Sequence, residues 1–209
     1  MNRIEIKNLC KSFGLQKVLN GVSLTFESGK IYGLVGRNGS GKTVLLKCIL
    51  GFLRPDSGEI VIDGEKRDSK EAYLDNAGFM INSPGFIGGM SGYKNLRYLA
   101  SIRGKAAPDD IRNAMTLVGL DPDSRKRVSA YSLGMRQKLA IAQAIMEDPD
   151  ILILDEPMNA LDDSSVKAVR ELLLRLRSDD KLIIITSHNK EDISLLCDEV
   201  FHMSEGRIR

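Results

Sequence analysis

The sequence predicts an α/β fold in which a mostly parallel sheet is flanked by helices. Three apolar runs, each typical of a strand buried on both faces, begin at Ile31, Ile151 and Lys181. Segments with helical spacing of apolar residues lie between them, and each run ends in polar residues. Because ligands bind at the carboxyl ends of strands in open parallel sheets, we expect one site where these three ends converge.

The first 35 residues alternate between apolar and polar side chains, as strands with one buried face do. We expect turns at Asn20–Gly21 and at Glu27–Lys30, because Asn-Gly and Ser-Gly pairs favour turn conformations. This part forms the N-terminal antiparallel β subdomain of the predicted fold.

Helical patterns occupy much of the remaining chain. A short apolar helix is predicted from Thr43 to Leu50, stopped by Gly51. Apolar residues near helical spacing predict further helices at 93–103, 109–118 and 163–177. We interpret residues 1–209 as a single domain with two lobes.

The lobes follow from where the strand and helix patterns lie. Residues 1–82 and 147–209 form the core with its antiparallel part, and residues 83–146 form an inserted helical subdomain.

Bulk composition excludes several classes of function. Thirty basic residues against 28 acidic residues give a formal net charge of only +2, so we expect no nucleic-acid partner. The three cysteines are widely spaced and none belongs to a CxxC motif, which argues against a disulfide framework and against a zinc site. We interpret them as reduced core residues: Cys10, Cys48 and Cys197.

No signal-peptide pattern opens the chain, and no apolar run approaches the ~18 residues that cross a bilayer. We therefore expect a cytoplasmic protein that serves a membrane only through a partner. The chain ends at Arg209, which we expect to leave little room for a regulatory tail.

The stretch GRNGSGKT, residues 36–43, follows a buried strand and opens a helix, as a phosphate-binding loop must. Its glycines let consecutive N–H groups face phosphates, Lys42 reaches the β- and γ-phosphates, and the Thr43 hydroxyl binds Mg²⁺. The alternative is a glycine-rich turn before a core helix. The core is thus predicted to be of the P-loop NTPase type, with nucleotide contacts from Asn38, Gly39, Ser40, Gly41, Lys42, Thr43 and Val44.

Asp155 and Glu156 end the second buried strand, and His188 follows the third. A carboxylate after an apolar run needs a positive partner, which Mg²⁺ supplies to Asp155. Glu156 is then free to polarise the attacking water, and His188 to contact the γ-phosphate or position that water. The alternatives are a helix-capping carboxylate before Pro157 and a structural histidine.

Five motifs in this order resemble the ATP-binding subunits of ABC transporters over essentially the whole chain. They are GRNGSGKT as Walker A, YSLGMRQ as the signature loop, ILILDEP as Walker B, NALD as the D-loop and TSH as the H-loop. The resemblance implies an ATPase whose two copies pack head to tail, so that the signature loop of one meets the γ-phosphate held by the other.

The resemblance also assigns further residues. Ser132, Gly134 and Met135 meet the neighbour's nucleotide, Asp162 contacts the opposite subunit, and the adenine pocket is formed by Phe13 and Val18. The residue types of the signature loop are consistent with this assignment, since a hydroxyl, a glycine and a helix N-terminus together favour binding of an anion. The alternative is that Ser132 only caps its helix.

Two positions depart from the family pattern. Asn82 stands where a glutamine is usual and is predicted to contact Mg²⁺ or the attacking water. Leu133 and Met135 stand where Gly and Gln are commonest, and this form is similar to exporter ATPases of the bacitracin and lantibiotic type. The resemblance therefore implies export through a separate transmembrane permease.

We expect residues Asn82 to Gly92, with exposed apolar side chains, to form part of the permease groove, although a simple packed loop is also consistent. A homodimer of ATPase domains is favoured because both halves of the composite site are intact, and a heterodimer stays open. Competing interpretations are a non-transport ABC-type ATPase of DNA repair or the ribosome, and a small-molecule kinase.

Overall fold

The computed structural model describes residues 2–67, 73–74, 76–81, 85–177 and 180–209. Ten strands lie in this part of the chain: β1 Arg3–Phe13, β2 Gln16–Glu27, β3 Ile31–Val35, β4 Ser57–Ile62, β5 Glu65–Lys66, β6 Ala77–Met80, β7 Ile151–Asp155, β8 Leu182–Thr186, β9 Glu199–Ser204 and β10 Arg207–Ile208. The α-helices of the same ranges are α1 Lys42–Leu50, α2 Gly92–Arg103, α3 Pro108–Leu117, α4 Leu133–Ile145, α5 Asp163–Leu176 and α6 Lys190–Leu196.

The main sheet has the strand order β10-β9-β3-β8-β7-β6, and all neighbours except β10 and β9 are parallel. The three predicted apolar runs become the adjacent strands β3, β8 and β7. Leu34 of β3 and Asp155 of β7 both pair with Thr186 of β8, so the carboxyl ends of the strands lie at one edge. The α/β prediction and the convergence of the three ends are confirmed.

The second sheet is the predicted antiparallel one, with the order β2-β1-β4-β5. Its first hairpin turns at Gly14–Leu15, so the predicted turn at Asn20–Gly21 is wrong. Gly21 instead adopts a φ of +72° inside β2, where its N–H donates to Cys10 Sγ and the register with β1 shifts. The left-handed glycine therefore makes a bulge within the strand.

The predicted helices are confirmed to within one residue at each end. Their boundaries follow from local chemistry: Gly51, at φ +87°, ends α1, and the Ser91 hydroxyl caps α2 by accepting from Lys94 N. Pro108 opens α3, where a missing N–H costs nothing because no intrahelical acceptor exists there. Among the described residues, none of the helices combines the length and hydropathy that a bilayer crossing requires.

The main sheet is covered on both faces. Leu154 and Ile183 join one hydrophobic cluster with Leu139 of α4 and the other helices between 92 and 145. Ile153, the neighbour of Leu154 on β7, faces the other cluster, which includes Leu45 of α1 and the antiparallel sheet. Side chains that alternate along one strand thus tie the predicted lobes to a common sheet.

All three cysteines are free thiols. Cys48 is buried, whereas Cys10 and Cys197 are half-buried. Burial raises the pKa of Cys48 to about 11 and that of Cys197 to about 12, so both are unreactive thiols at neutral pH.

Candidate functional site

The glycine loop between β3 and α1 is tightly packed against neighbouring backbone. A Cβ on Gly36 would lie 2.3 Å from the Met203 carbonyl oxygen, and one on Gly41 would lie 2.8 Å from the Val18 carbonyl oxygen. Gly41 also has a φ of +109° immediately before the helix, which favours glycine. The loop therefore needs these two glycines to curl, independently of any ligand.

Lys42 lies at the centre of this curl and is 6% exposed. Its Nζ donates to the carbonyl oxygens of Gly36, at 2.7 Å, and Arg37, at 3.3 Å. Ser40 Oγ is buried in the same loop without a hydrogen-bond partner among the described residues. A buried cation and an unused hydroxyl, beside the free N–H groups of a helix N-terminus, fit the chemistry of a bound phosphate.

A cavity of about 400 Å³ opens beside the loop. Most of the predicted nucleotide-site residues line this cavity: Val18, Asn38, Gly39, Ser40, Gly41, Lys42, Thr43, Val44, Asp155 and Glu156. Gln16 also lines it, although the sequence did not indicate this residue. A larger cavity of about 740 Å³ shares no lining residue with it. The converging polar groups, rather than the volume, single out the smaller cavity as the candidate site.

Asp155 is held between two threonines. Its Oδ2 accepts from Thr43 Oγ1 at 2.7 Å, and its Oδ1 accepts from Thr186 Oγ1 at 2.6 Å. Thr43 and Asp155 thereby present adjacent oxygen ligands, the kind that Mg²⁺ prefers when phosphates and waters supply the rest of its coordination. The residues present fit the predicted ion.

Glu156 has an unusual backbone, with φ at +54°, a conformation that costs a non-glycine residue about 1–3 kcal/mol. Its N–H donates to Thr186 Oγ1 at 2.8 Å. Its carboxylate Oε2 lies 2.9 Å from Nδ1 of His188, and the Glu156 side chain keeps 19% of its surface exposed. The structure therefore joins the two predicted catalytic residues at the edge of the cavity.

An ion pair between the partly buried Arg170 and the buried Asp192 supports the turn that carries His188. Ser187 Oγ accepts from Asn189 N at 3.0 Å and donates to Asp192 Oδ2 at 3.0 Å, so its bonds span the histidine. Asp192 is 2% exposed and accepts from Nε and Nη2 of Arg170, at 2.9 Å and 2.6 Å. Helices α5 and α6 thus hold the turn that carries the histidine through charge-assisted hydrogen bonds.

The signature residues lie elsewhere on the chain. Among the described residues, the cavity lining includes none of Ser132, Gly134, Met135 and Asp162. The exposed Ser132 caps α4 by accepting from Met135 N at 3.1 Å. A Cβ on Gly134 would lie 2.8 Å from the Ala160 carbonyl oxygen, so this glycine is required by packing within the chain.

Asp162 caps α5. Its Oδ1 accepts from Ser164 Oγ at 2.7 Å and from Ser165 N at 2.8 Å. These bonds to Ser164 and Ser165 lower the pKa of the carboxyl to about 2, so it is ionised at neutral pH. Its contact with an opposite subunit stays a prediction.

One predicted residue does not line the cavity, and another is outside the part of the chain that the structure describes. Phe13 is 49% exposed, with Lys11 Nζ 5.7 Å from its ring centre, and it is absent from the cavity lining. It pairs across the hairpin with Gln16, which does line the cavity, so the predicted adenine stacking stays a prediction. Asn82 lies outside the described residues.

The adjoining loop is described from residue 85. Asn95 ties it down by accepting from Ile87 N at 2.7 Å and donating to Ile87 O at 3.1 Å, while the Ile87 side chain is 43% exposed. Phe86 packs against the helical core. The loop is thus locally packed and also displays an apolar side chain, and its contact with a permease stays a prediction.

Sequence reasoning missed Thr186 and Gln137. Thr186 bonds to both Asp155 and Glu156, and its place at the end of a buried strand could have indicated this. Gln137 donates from Nε2 to the carbonyl oxygens of Glu156 and Pro157. No local pattern marks that contact, because it joins a helix to a strand end 19 residues away.

Comparisons with known sequences give one consistent result. The family profile described as ABC transporter matches residues 19–159. An uncharacterized ABC transporter ATP-binding protein, YybJ of Bacillus subtilis, is 43% identical over 205 residues, or 98% of this chain and 94% of that protein. The bacitracin transport ATP-binding protein BcrA of Enterococcus faecalis is 39% identical over 98% of this chain and 67% of its own length. The lantibiotic transport ATP-binding protein SrtF of Streptococcus pyogenes is 33% identical over 98% of this chain and 88% of that protein.

Solved structures agree on the fold. A dimeric ATP-binding cassette in a post-hydrolysis state with ADP and phosphate aligns with a TM-score of 0.90 at 22% identity, over 99% of this chain and 96% of that one. An ATP-binding subunit of an ABC transporter aligns with a TM-score of 0.87 at 26% identity, over 98% of this chain and 87% of that one.

Proposed function

Because the chain belongs to the ABC transporter family as an ATP-binding subunit, we propose that it drives export through a separate permease by hydrolysing ATP at sites shared between two copies. The observation that carries the proposal is the hydrogen-bonded pair Glu156 and His188 at the edge of the cavity lined by the glycine loop.

ATP binds with its phosphates on the glycine loop. The N–H groups at the start of α1 and the Lys42 ammonium offset the phosphate charge, and the Ser40 hydroxyl gains an acceptor. Val18 and Gln16 line the part of the cavity nearer the β subdomain, where the adenine is placed beside Phe13. Thr43 and Asp155, with Asn82 as a further predicted ligand, would hold Mg²⁺, which would offset negative charge on the phosphates.

Hydrolysis proceeds by attack of one water on the γ-phosphorus. Glu156 accepts a proton from this water while its oxygen bonds to phosphorus, and the bond to the bridging oxygen of ADP breaks. His188 donates from Nδ1 to the Glu156 carboxylate and so fixes its orientation. The products are ADP and phosphate.

The second half of each site comes from another copy of the chain. Ser132, Gly134 and Met135 lie at the start of α4, where the positive end of a helix favours the γ-phosphate held by the neighbour. ATP then stabilises the dimer and hydrolysis weakens it, which gives a closing and opening motion to the permease. Asp162 lies against the opposite subunit in this arrangement.

The relatives named for bacitracin and lantibiotic transport support a proposal for the cargo class. We assign this chain to the export of peptide antibiotics of that kind, with the permease selecting the cargo. The chain lies at the inner face of the cell membrane through that permease, and residues 82–92 form part of the docking groove.

The test is the molar mass of Glu156→Gln, measured by light scattering with Mg-ATP, Mg-ADP or no nucleotide. The glutamine oxygen still accepts from His188, but the amide cannot take a proton, so kcat should fall by about 10²–10⁴-fold while ATP still binds. We expect the mass to rise from 23.1 kDa to twice that value with Mg-ATP only.

Lys42→Ala on the same background is the matched control, since it removes nucleotide binding and should leave a monomer under every condition. A monomer of Glu156→Gln that demonstrably binds ATP would contradict the autonomous homodimer and point to a different ATPase subunit or an obligatory permease. Undiminished hydrolysis by Glu156→Gln would contradict its role as the base.

A further inference from the structure

Helix α4 reaches the end of β7 through one side chain. Nε2 of Gln137 donates to the carbonyl oxygen of Glu156 at 3.0 Å and to that of Pro157 at 3.1 Å. Both partners are acceptors only, so the amide nitrogen must face them and both of its hydrogens are used. The contact is therefore a directed clamp on two consecutive peptide groups.

The clamp acts on a backbone that needs support. Glu156 has a φ of +54°, and non-glycine residues keep this conformation only where their surroundings hold it. Thr186 Oγ1 holds the N–H side of Glu156 at 2.8 Å, and Gln137 holds its carbonyl side. The direction of the Glu156 carboxylate toward His188 depends on both contacts.

We propose that Gln137 is a positioning residue for ATP hydrolysis, which fixes the backbone of the general base Glu156 from the signature helix. The inference rests on the proposed role of Glu156. Gln137 does not itself line the cavity, and its hydrogen bonds go to the carbonyl oxygens of Glu156 and Pro157 rather than to the Glu156 carboxylate, so it acts through the peptide groups.

Helix α4 contacts the segment of residues 156–160 at two points. Gly134, in the first turn of α4, lies against Ala160, and Gln137, one turn later, holds residues 156 and 157. The segment between Walker B and the D-loop thus rests on the helix whose first residues meet the neighbour's ATP. Gln137 therefore connects the proposed base of this copy to the helix that is proposed to contact the neighbour's ATP.

The test compares Gln137→Met and Gln137→Glu with Gln143→Met. Methionine keeps the length without a donor, and glutamate keeps the shape but turns an acceptor toward two carbonyl oxygens. Gln143 is on the same helix, and its side chain makes no hydrogen bond among the described residues. We expect kcat to fall about 10–100-fold in both Gln137 variants with an unchanged KM for ATP, and no change in Gln143→Met.

A double-mutant cycle with Glu156→Gln separates positioning from a general structural effect. If Gln137 acts through the base, Gln137→Met should not lower the residual hydrolysis of Glu156→Gln further, and the ATP-driven dimer should persist. An equal fall in both backgrounds, or wild-type kcat in both Gln137 variants, overturns the inference. Full activity of Glu156→Gln instead overturns the proposed function, a result that needs no Gln137 variant.

Discussion

A single hydroxyl joins the residues at the end of β7. Thr186 Oγ1 donates to Asp155 Oδ1 at 2.6 Å and accepts from Glu156 N at 2.8 Å, and the residue is fully buried. The proposed metal ligand and the proposed base are therefore oriented by one side chain of the neighbouring strand. Removing that hydroxyl leaves two partly buried polar groups without this partner.

Thr186→Val has nearly the same shape and lacks the hydroxyl. We expect it to lower the free energy of unfolding by about 1–3 kcal/mol, because the Glu156 N–H and an Asp155 oxygen lose a bond. We also expect kcat to fall by at least about tenfold, since the base loses one of its two backbone supports. Urea unfolding and steady-state ATPase assays measure the two effects. Thr186→Ser keeps both bonds and should stay close to wild type; equal losses in Ser and Val would contradict this account.

At the scale of the element, the N-terminus of α4 has two roles that must be separated. Ser132 caps the helix by accepting from Met135 N, and we propose that it also meets a neighbour's phosphate. Gly134 is a poor probe of the second role, because any side chain there would strike the Ala160 carbonyl within the same chain. A useful substitution keeps the cap and changes only the charge.

Ser132→Asn and Ser132→Asp satisfy this condition, since both residues cap helices as well as serine does. Aspartate adds about 0.3–1 kcal/mol of favourable interaction with the helix N-terminus, so its thermal stability should not fall. On the Glu156→Gln background we expect Asn to retain the Mg-ATP dimer and Asp to abolish it, because its charge repels the γ-phosphate. Light scattering decides, and identical dimerisation of the two variants would refute the phosphate contact.

At the scale of the whole molecule, the parallel sheet is the element that both lobes share. Leu154 faces the cluster that contains the helices of residues 92–145, and Ile153 faces the cluster that contains α1 and the antiparallel sheet. Both side chains are fully buried. This arrangement supports the proposal that residues 1–209 behave as one domain.

Ile153→Ala and Leu154→Ala should each lower the free energy of unfolding by about 2–5 kcal/mol, the range for cavities of this kind. We expect a single transition in both variants, because each cavity weakens the sheet on which both clusters depend. Urea unfolding followed by far-UV circular dichroism and by tyrosine fluorescence measures this. Two separate unfolding transitions, of which Leu154→Ala shifts only one, would instead show that the helical subdomain unfolds independently.

Local chemistry made much of this protein predictable. The glycine loop, the buried strands and the helix boundaries depend on residues close together in sequence, such as Gly51 at the end of α1 and the apolar run of β7. Asp155, Glu156 and His188 could be predicted as site residues because they are polar residues at the carboxyl ends of buried strands. The ends of parallel strands meet at one edge of the sheet.

The turn predicted at Asn20–Gly21 was wrong because an Asn-Gly pair favours a turn locally, whereas pairing with β1 keeps these two residues within β2.

By itself, the sequence determined the glycine loop, the polar ends of the buried strands and the family, because each depends on residues that are adjacent in the chain. Only the tertiary structure decided how the site is supported. Thr186 reaches Glu156 across 30 residues, Gln137 reaches it across 19, and Arg170 reaches Asp192 across 22. Strand order and helix packing create these contacts, and no local periodicity encodes them.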